Sequence, residues 1–331
     1  MPALKNESRV SGAVFIVCTL TGWASVLLFL KHLAPFIDAW TANGWRYGLS
    51  ALLLLPLLVI GSLRGTLPTR LWRRAFVPAA FNCIGQVFFA LIPYYIGPGL
   101  GGFLLRSSIV FSTTGALILF EDERPLVRSP GFWIGLALVC AGSAGTVLFG
   151  HAPITGGTAV GITMALTAGA FYGCYGLSVR YFMHGVPAIT SFAAISLYTA
   201  IGMVALMIPF GSRGGLCALD LSAFNWFILA LSSLIGIALG HIFYYAAIAR
   251  LGVAISTAIV QLAPFLCAAG SFFLFGEVLT PWQWLFGFVM LLGAASLIVA
   301  DKVRHRQKSD RTPAFPVEIE DAGSPATTSS A

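Results

Sequence analysis

The sequence predicts an all-α polytopic membrane protein whose ten transmembrane helices form two inverted five-helix repeats. Hydrophobic residues make up 58% of the 331 residues and charged residues only 9%, against roughly a quarter in soluble domains. Long apolar runs recur along the chain, and segments of its second half match segments of its first. This composition excludes a water-soluble globule, because too little polar surface remains to cover one.

Ten apolar runs are long enough to cross a bilayer, which takes about 20 residues. They lie at approximately residues 10–30, 35–60, 75–96, 98–120, 131–149, 157–182, 187–209, 223–249, 253–275 and 280–300. The connections are short and several contain Pro or Gly, which are typical of turns. We expect residues 1–9 to form a cytoplasmic N-terminus. Residues 301–331, which end in a Pro-, Ser- and Thr-rich stretch, are expected to form a disordered cytoplasmic tail.

The distribution of lysine and arginine predicts the orientation in the membrane. Of the 19 basic residues, 15 fall on the side that carries both termini and two, Lys31 and Arg213, on the other side. Basic residues are enriched on the cytoplasmic side of membrane proteins. We therefore predict a multi-pass protein of the cell (inner) membrane with both termini in the cytoplasm. Because the basic residues lie in short clusters between spans, the net charge of +7 does not indicate nucleic-acid binding.

An internal repeat relates the two halves, at about residues 10–150 and 157–300. A shift of 155 positions aligns residues 104–123 with 259–278, and a shift of 146 aligns residues 13–24 with 159–170. Since five spans is an odd number, the second half begins on the opposite side of the membrane. The repeat must therefore be inverted, an arrangement that suits a pathway opening alternately to either side.

Several motifs resemble the drug/metabolite transporter superfamily and, within it, the EamA-type exporters. The motifs are Gln261-Leu-Ala-Pro264, Phe275-Gly-Glu277-Val-Leu-Thr280, Gly287 and Gly293 in the second half, and Trp45-Arg46-Tyr47, Glu123-Arg-Pro125, Gly135 and Gly142 in the first. The resemblance covers about residues 10 to 300 and implies a ten-helix transporter. Two features depart from the family pattern. Ile109 stands where the fourth helix usually has proline, and Arg106 is not a feature of the family pattern.

Arg46 and Arg106 are the two charged residues placed well inside predicted spans, about 17 Å and about 12 Å along their helices at 1.5 Å per residue. A charge at mid-bilayer costs at least about 2.5 kcal/mol and usually has a partner or a function. No carboxylate is predicted at their depth, so both residues are candidates for binding a substrate carboxylate or phosphate. Alternatively, Arg46 binds backbone carbonyls or reaches Asp38 along its helix.

The other candidate substrate-binding residues are polar or aromatic side chains within spans. They are Asn82, Gln86, Tyr94, Tyr95, His241, Tyr244, Tyr245 and Gln261. The tyrosines also fit a role as anchors at the membrane interface. His241 suits either proton transfer or a hydrogen-bonded core position.

Gln261 lies one turn before Pro264, which bends the helix either to make a polar niche or merely for packing. Arg106 and Gln261 align in the repeat, so we expect them to face one another across the pseudo-twofold axis.

The predicted function is secondary transport, in the direction of export, of a small polar metabolite such as an amino acid or another carboxylate-bearing solute. The sequence has no nucleotide-binding GxxxxGK[ST] loop, no catalytic cluster and no metal-ligand spacing, so we expect no enzyme activity, catalytic residue, metal or other cofactor. The expected partners are the small solute and the lipid bilayer. The sequence leaves undecided whether the protein forms a homodimer. The alternatives are a polytopic membrane enzyme or a channel that lacks a recognisable motif.

Overall fold

The computed structural model describes residues 2–121, 123–150 and 156–311, and every regular element in these ranges is helical. The membrane-crossing helices are α1 (Pro2–Leu33), α2 (Ala39–Leu63), α3 (Leu71–Tyr95), α4 (Pro98–Leu119), α5 (Pro130–Leu148), α6 (Gly156–Phe182), α7 (Ala188–Phe210), α8 (Ala223–Leu251), α9 (Val253–Val260 and Ala263–Phe275) and α10 (Pro281–Arg311). Short 3-10 segments, Arg124–Arg128 and Ser212–Asp220, precede α5 and α8.

Each of the ten predicted spans coincides with one of these helices, so the predicted fold class is confirmed. The outer surface of the bundle carries large apolar side chains, as the hydrocarbon of a bilayer requires. Examples are Leu52, Ile118, Phe273, Leu274 and Leu292, each more than half exposed.

The tail prediction needs a correction. Residues 301–311, which the sequence places in a disordered tail, continue α10 as helix, and residues 312–331 lie outside the described part of the chain.

The packing of the helices shows the inverted repeat directly. Three helices pack against their own counterparts in the other half: α2 against α7, α4 against α9 and α5 against α10. The remaining close pairs come in matched sets, since α3 packs on α6 as α8 packs on α1. A pseudo-twofold axis therefore relates the two halves, and the middle of the bundle lies between them. We call the face where α1 begins and α10 ends the terminal face, and the other the opposite face.

Two helices are interrupted at equivalent positions of the repeat. A 3-10 turn, Leu105–Ser107, divides α4, and a break after Val260 divides α9, where Pro264 lacks the backbone N–H that would continue the helix. The halves of α4 and α9 nearer the opposite face, Pro98–Leu104 and Ala263–Phe275, pack closely together. The halves nearer the terminal face are not among the closely packed pairs. The two helices therefore separate from the middle of the bundle towards the terminal face.

Glycines allow α5 and α10 to meet backbone to backbone. A Cβ atom on Gly293 would lie 2.7 Å from the Gly135 oxygen, and a Cβ atom on Gly142 would lie 2.7 Å from the Phe286 oxygen. Neither position has room for a side chain, so this contact depends on small residues, as is typical of packed membrane helices.

We predict that Gly293→Leu destabilises the protein by separating α5 from α10. Overpacking of this kind typically costs about 1–3 kcal/mol. The measurement is the thermal unfolding midpoint of the purified protein in detergent, which should fall. Gly157→Ala is the matched control, because a Cβ atom there meets nothing within 4 Å. Equal midpoints for the two variants would contradict the prediction.

Candidate functional site

A central cavity of about 300 Å³ lies between the two repeats, with walls from both of them. Its polar and aromatic lining residues are Trp23, Arg46, Tyr47, Asn82, Gln86, Phe89, Arg106, Ser108, Tyr172, Tyr175, Phe192, His241 and Cys267. Five of the predicted site residues are among them: Arg46, Arg106, Asn82, Gln86 and His241. No aspartate or glutamate of the described chain lines this cavity. Its charged groups are therefore two guanidiniums without a carboxylate.

Arg46 is held in place by neutral side chains. Only 1% of the residue is exposed. Its Nε donates to Ser232 Oγ at 3.1 Å, and its Nη1 donates to Asn43 Oδ1 at 3.2 Å. Neither of the structural alternatives from the sequence is seen, since Arg46 reaches neither Asp38 nor a backbone carbonyl among the described residues. Because one hydrogen bond falls on each edge of the guanidinium, a ligand can reach little more than Nη2.

Arg106 is held differently, and one edge of its guanidinium stays free. Its Nη1 donates to Gln261 Oε1 at 3.1 Å, which confirms the predicted meeting of these repeat-related residues. Its Nε is buried and has no hydrogen-bond partner, and Nη2 donates to none of the described residues. Nε and Nη2 form the edge of a guanidinium that binds a carboxylate in a bidentate manner. Arg106 therefore lines the central cavity and has an anion-binding edge that no described residue occupies.

The other predicted cavity residues are mostly engaged with the protein. Asn82 donates to Thr199 Oγ1 at 3.0 Å, and His241 Nδ1 is 2.8 Å from the Ile237 carbonyl oxygen. The His241 ring also stacks on Phe192 with centroids 4.0 Å apart. Gln86 differs, because its side-chain Oε1 is buried and unpaired. The lining of the cavity thus includes one buried neutral acceptor, Gln86 Oε1, without a partner among the described residues.

The four predicted tyrosines do not line the central cavity. Tyr94 donates its hydroxyl to the Ile37 carbonyl at 2.6 Å, and Tyr95 is 45% exposed. Tyr245 packs near Phe192 and His241, behind the cavity wall. Tyr244 bonds Thr257 Oγ1 at 3.1 Å and lines a second cavity. A direct role of these tyrosines in substrate binding remains a prediction, and only Tyr244 stands on the route to the central cavity.

Sequence reasoning missed most of the aromatic wall. Trp23, Tyr47, Tyr172, Tyr175 and Phe192 line the central cavity and are not among the predicted site residues. A usable signal is present for four of them, because tryptophan and tyrosine usually lie at the membrane interface, whereas Trp23, Tyr47, Tyr172 and Tyr175 lie well inside their helices. Such rings need a buried polar environment for their N–H and O–H groups. Phe192, the fifth residue of α7, carries no such signal.

A second cavity of about 620 Å³, the terminal vestibule, extends from the central cavity to the terminal face. Trp23, Ser108 and Tyr172 line both cavities and form the wall between them. Gln261 also lines the vestibule. At the mouth, Glu123 lies 2.8 Å from Arg180, and the carboxylate side chain is 8% exposed. The separated halves of α4 and α9 form its sides, so the central cavity is approached from the terminal face.

The opposite face is closed by hydrogen bonds between loops and helix ends. Glu277, which follows α9, accepts the backbone N–H groups of Gly99 at 2.8 Å and Leu100 at 3.1 Å, in the first turn of α4. Ser271 donates to the same carboxylate. A negative charge at a helix N-terminus is favourable because the first N–H groups lack partners within the helix. Glu277 thus ties α4 to α9 at the opposite face.

Asp38 makes a second closure on this face. Its carboxylate caps α2 through the Thr41 N–H at 2.8 Å and accepts the Ser212 N–H at 2.9 Å from the segment before α8. Partial burial raises the pKa of this carboxyl, but the hydrogen bonds from Ser212 and Thr41 outweigh burial and leave the pKa below its ordinary value of 3.8. The ionised form is therefore the one that the fold stabilises.

Comparisons with known proteins agree with this architecture. The model of the EamA-like transporter family matches residues 10–148 and 159–299, one stretch in each repeat. The chain belongs to the EamA-like transporter family. A solved crystal structure resembles this EamA-like protein over 89% of the chain and 99% of its own chain, with a TM-score of 0.58 and 14% identity, a likeness of fold alone. No curated protein gave a significant match.

The family and the ten apolar helices make this EamA-like protein a multi-pass membrane transporter. The central cavity and the terminal vestibule are where a solute could enter it. The described residues contain no group of three or more histidine, cysteine or acidic side chains that could hold a metal ion.

We predict that Glu277→Gln loosens the opposite face, because a neutral amide accepts the Gly99 and Leu100 N–H groups more weakly than a carboxylate does. Hydrogen bonds to charged groups contribute about 1.5–3 kcal/mol, so amide exchange in the first turn of α4 should accelerate by about 10-fold or more. Hydrogen–deuterium exchange with mass spectrometry measures this rate. Glu121→Gln is the control, because that exposed carboxylate pairs only with Arg124 at 3.3 Å. Unchanged exchange in residues 97–104 would refute the predicted role of Glu277.

The Asp38 closure should give a stability difference that depends on pH. Because the folded pKa is depressed, its stabilisation is complete above pH 3.8 and is lost as the pH falls through the lower folded pKa. Asp38→Asn should therefore lower the unfolding midpoint at pH 7, and the gap to wild type should narrow at pH 3. Thermal unfolding in detergent at both pH values tests this. A gap that stays constant would show that Asp38 does not act through its charge.

Proposed function

We propose that the protein is a secondary transporter that exports a small carboxylate-bearing solute across the cell membrane by alternating access. The observation that carries this proposal is the free Nε–Nη2 edge of Arg106 at a central cavity with two arginines and no acid among the described residues. A buried guanidinium with an unused edge is expensive inside a membrane unless it binds something anionic. A carboxylate matches that edge with two parallel hydrogen bonds.

Alternating access is supported by the difference between two equivalent ends of the repeat. At the opposite face, α4 and α9 pack together and Glu277 holds the start of α4. At the terminal face, the equivalent halves of the same helices line the terminal vestibule. Because the two halves have the same fold in inverted orientation, exchanging their conformations would close the terminal face and open the other.

The proposed direction of transport is supported by the excess of basic residues on the terminal side. If that excess marks the cytoplasm, the terminal vestibule opens to the cytoplasm and the solute loads from inside the cell. In this proposal Arg106 binds the carboxylate and Arg46 supplies a second positive charge. Asn82, Gln86 and His241 shape the rest of the central cavity, while Gln261 and Tyr244 lie on the approach through the terminal vestibule.

A counterflow screen in proteoliposomes tests the proposal. Vesicles loaded with an unlabelled amino acid or organic acid should take up the labelled form of the same solute at a rate above empty vesicles. Counterflow separates a carrier from a channel, because a channel conducts the solute without trans-stimulation, and an enzyme would instead convert it. If none of the carboxylate-bearing solutes in the screen shows counterflow, the proposed function is wrong.

Within that screen, Arg106→Gln should reduce counterflow of the carried solute by about 10-fold to 100-fold. The loss corresponds to hydrogen bonds to a charged group, about 1.5–3 kcal/mol, with each 1.4 kcal/mol worth a factor of ten. The counterflow rate of Arg106→Lys should lie between those of wild type and Arg106→Gln, because an ammonium group keeps the positive charge but lacks the two parallel donors of a guanidinium. Arg213→Gln, at an exposed ion pair with Asp220, is the control and should transport at the wild-type rate.

A further inference from the structure

We infer that the carried solute is an anion with an aromatic or similarly apolar body and without an ammonium group. This inference rests on the proposed function and narrows its substrate class. An amino acid and a simple organic acid both carry the carboxylate that Arg106 would bind. The two differ in whether the rest of the solute also brings a positive charge into the central cavity.

The charges of the central cavity oppose a positive group. Arg46 and Arg106 line it, and no acid of the described residues does. An ammonium group that leaves water needs an opposite charge or a full set of acceptors. The side-chain oxygens of the lining, such as those of Gln86, Ser108 and Tyr172, are all neutral. An ammonium group would therefore be poorly paired and would be repelled by both guanidiniums, whereas a simple anion is attracted by both.

The hydrogen-bond geometry fits a carboxylate better than a phosphate ester. Arg106 offers one free edge with two donors, Nε and Nη2. On Arg46, Ser232 and Asn43 already occupy one nitrogen on each side, which leaves Nη2. Two parallel donors satisfy the two oxygens of a carboxylate. A phosphate monoester has three terminal oxygens that share up to two negative charges, so it would need the free nitrogens of both arginines, whereas a carboxylate needs the Arg106 edge alone.

The remaining walls are aromatic. The rings of Trp23, His241 and Phe192 are in contact: His241 stacks on Phe192 with centroids 4.0 Å apart, and Trp23 is tilted by 57° against His241 with centroids 5.1 Å apart. Tyr47, Phe89, Tyr172 and Tyr175 add further rings around the same space. Aromatic rings favour offset or edge-to-face contact with another ring. A volume of about 300 Å³ is at the small end for ligand sites, which suits a body of about one ring.

Four probes separate these features, with binding measured by isothermal titration calorimetry on the purified full-length protein in detergent. 3-Phenylpropanoate has the anion and the ring. L-Phenylalanine adds only the ammonium group, propanoate removes only the ring, and 2-phenylethylamine replaces the anion by a cation. A fifth probe, phenyl phosphate, tests the phosphate alternative. We expect 3-phenylpropanoate to bind at least tenfold more tightly than each of the other four probes.

Each outcome bears on the inference. If phenylalanine binds with a dissociation constant within tenfold of that of 3-phenylpropanoate, the exclusion of an ammonium group is wrong. If 2-phenylethylamine does, the requirement for an anion is wrong. If propanoate binds within tenfold of 3-phenylpropanoate, the requirement for an apolar body is wrong. If phenyl phosphate binds within tenfold, the assignment of a carboxylate is wrong. No binding of 3-phenylpropanoate to protein that still unfolds cooperatively also overturns the inference. In these cases the proposed function stands as long as some carboxylate-bearing solute shows Arg106-dependent counterflow, and it fails only if none does.

A matched pair of variants localises the recognition. Phe192→Leu should weaken binding of 3-phenylpropanoate by about tenfold and leave propanoate unchanged, because only the ring contact is lost. Arg106→Gln should weaken both probes by a similar factor. If Phe192→Leu weakens the binding of both probes equally, the Phe192 ring supports the shape of the cavity and does not contact the ring of the solute, which contradicts the proposed recognition. Unfolding midpoints of the ligand-free variants show whether either substitution has disturbed the fold.

Discussion

The hydrogen bond between Arg106 and Gln261 is the interaction on which the arrangement of this protein depends. It joins the two interrupted helices, α4 and α9, at the point where the repeat axis places equivalent residues face to face. A break in a membrane helix leaves backbone groups without partners, so it is tolerated only where protein or a water-filled cavity surrounds it. Both breaks border the central cavity. The same bond fixes Arg106 by one nitrogen and leaves its other edge unused.

The helix breaks at this bond divide each of the two helices into halves with different surroundings. On one side of the bond, Pro98–Leu104 packs against Ala263–Phe275, and Glu277 closes the end. On the other side, Ser108–Leu119 and Val253–Val260 stand apart around the terminal vestibule. Two halves with the same fold thus make different contacts at their equivalent ends.

Much of the fold could be predicted from the sequence, because the membrane imposes it locally. Span length, basic flanks and the repeat each depend on nearby residues or a fixed shift, and together they account for all ten helices. The meeting of Arg106 with Gln261 was also predictable, because pseudo-symmetry places equivalent residues on one axis. The start of the tail was not, because the Pro- and Ser-rich composition belongs to residues beyond 311, whereas residues 301–311 have helix-forming side chains that continue α10.

The candidate site was harder to predict, because hydrogen bonds across helices decide which polar groups are free. Arg46 and Arg106 are both arginines within predicted spans. Ser232 and Asn43 accept hydrogen bonds from both edges of the Arg46 guanidinium, whereas the Nε–Nη2 edge of Arg106 has no partner among the described residues. Asn43 lies one helical turn from Arg46 and was open to prediction, but Ser232 lies 186 positions away and could not be predicted from nearby sequence. Likewise, Tyr94 and Tyr172 are both tyrosines within spans, and only packing shows that Tyr172 faces the central cavity.

Arginines at the faces of the bundle and arginines at its centre have different kinds of partner. Three arginines near the faces have an acid beside them: Arg124 has Glu121, Arg180 has Glu123 and Arg213 has Asp220. The two arginines of the central cavity are instead held by an amide or a hydroxyl, which fixes their position without cancelling their charge. A carboxylate in the same place would neutralise the positive charge of the guanidiniums. It would leave no net positive charge to attract an anionic ligand. Neutral partners are therefore the arrangement expected where the missing negative charge arrives with the solute.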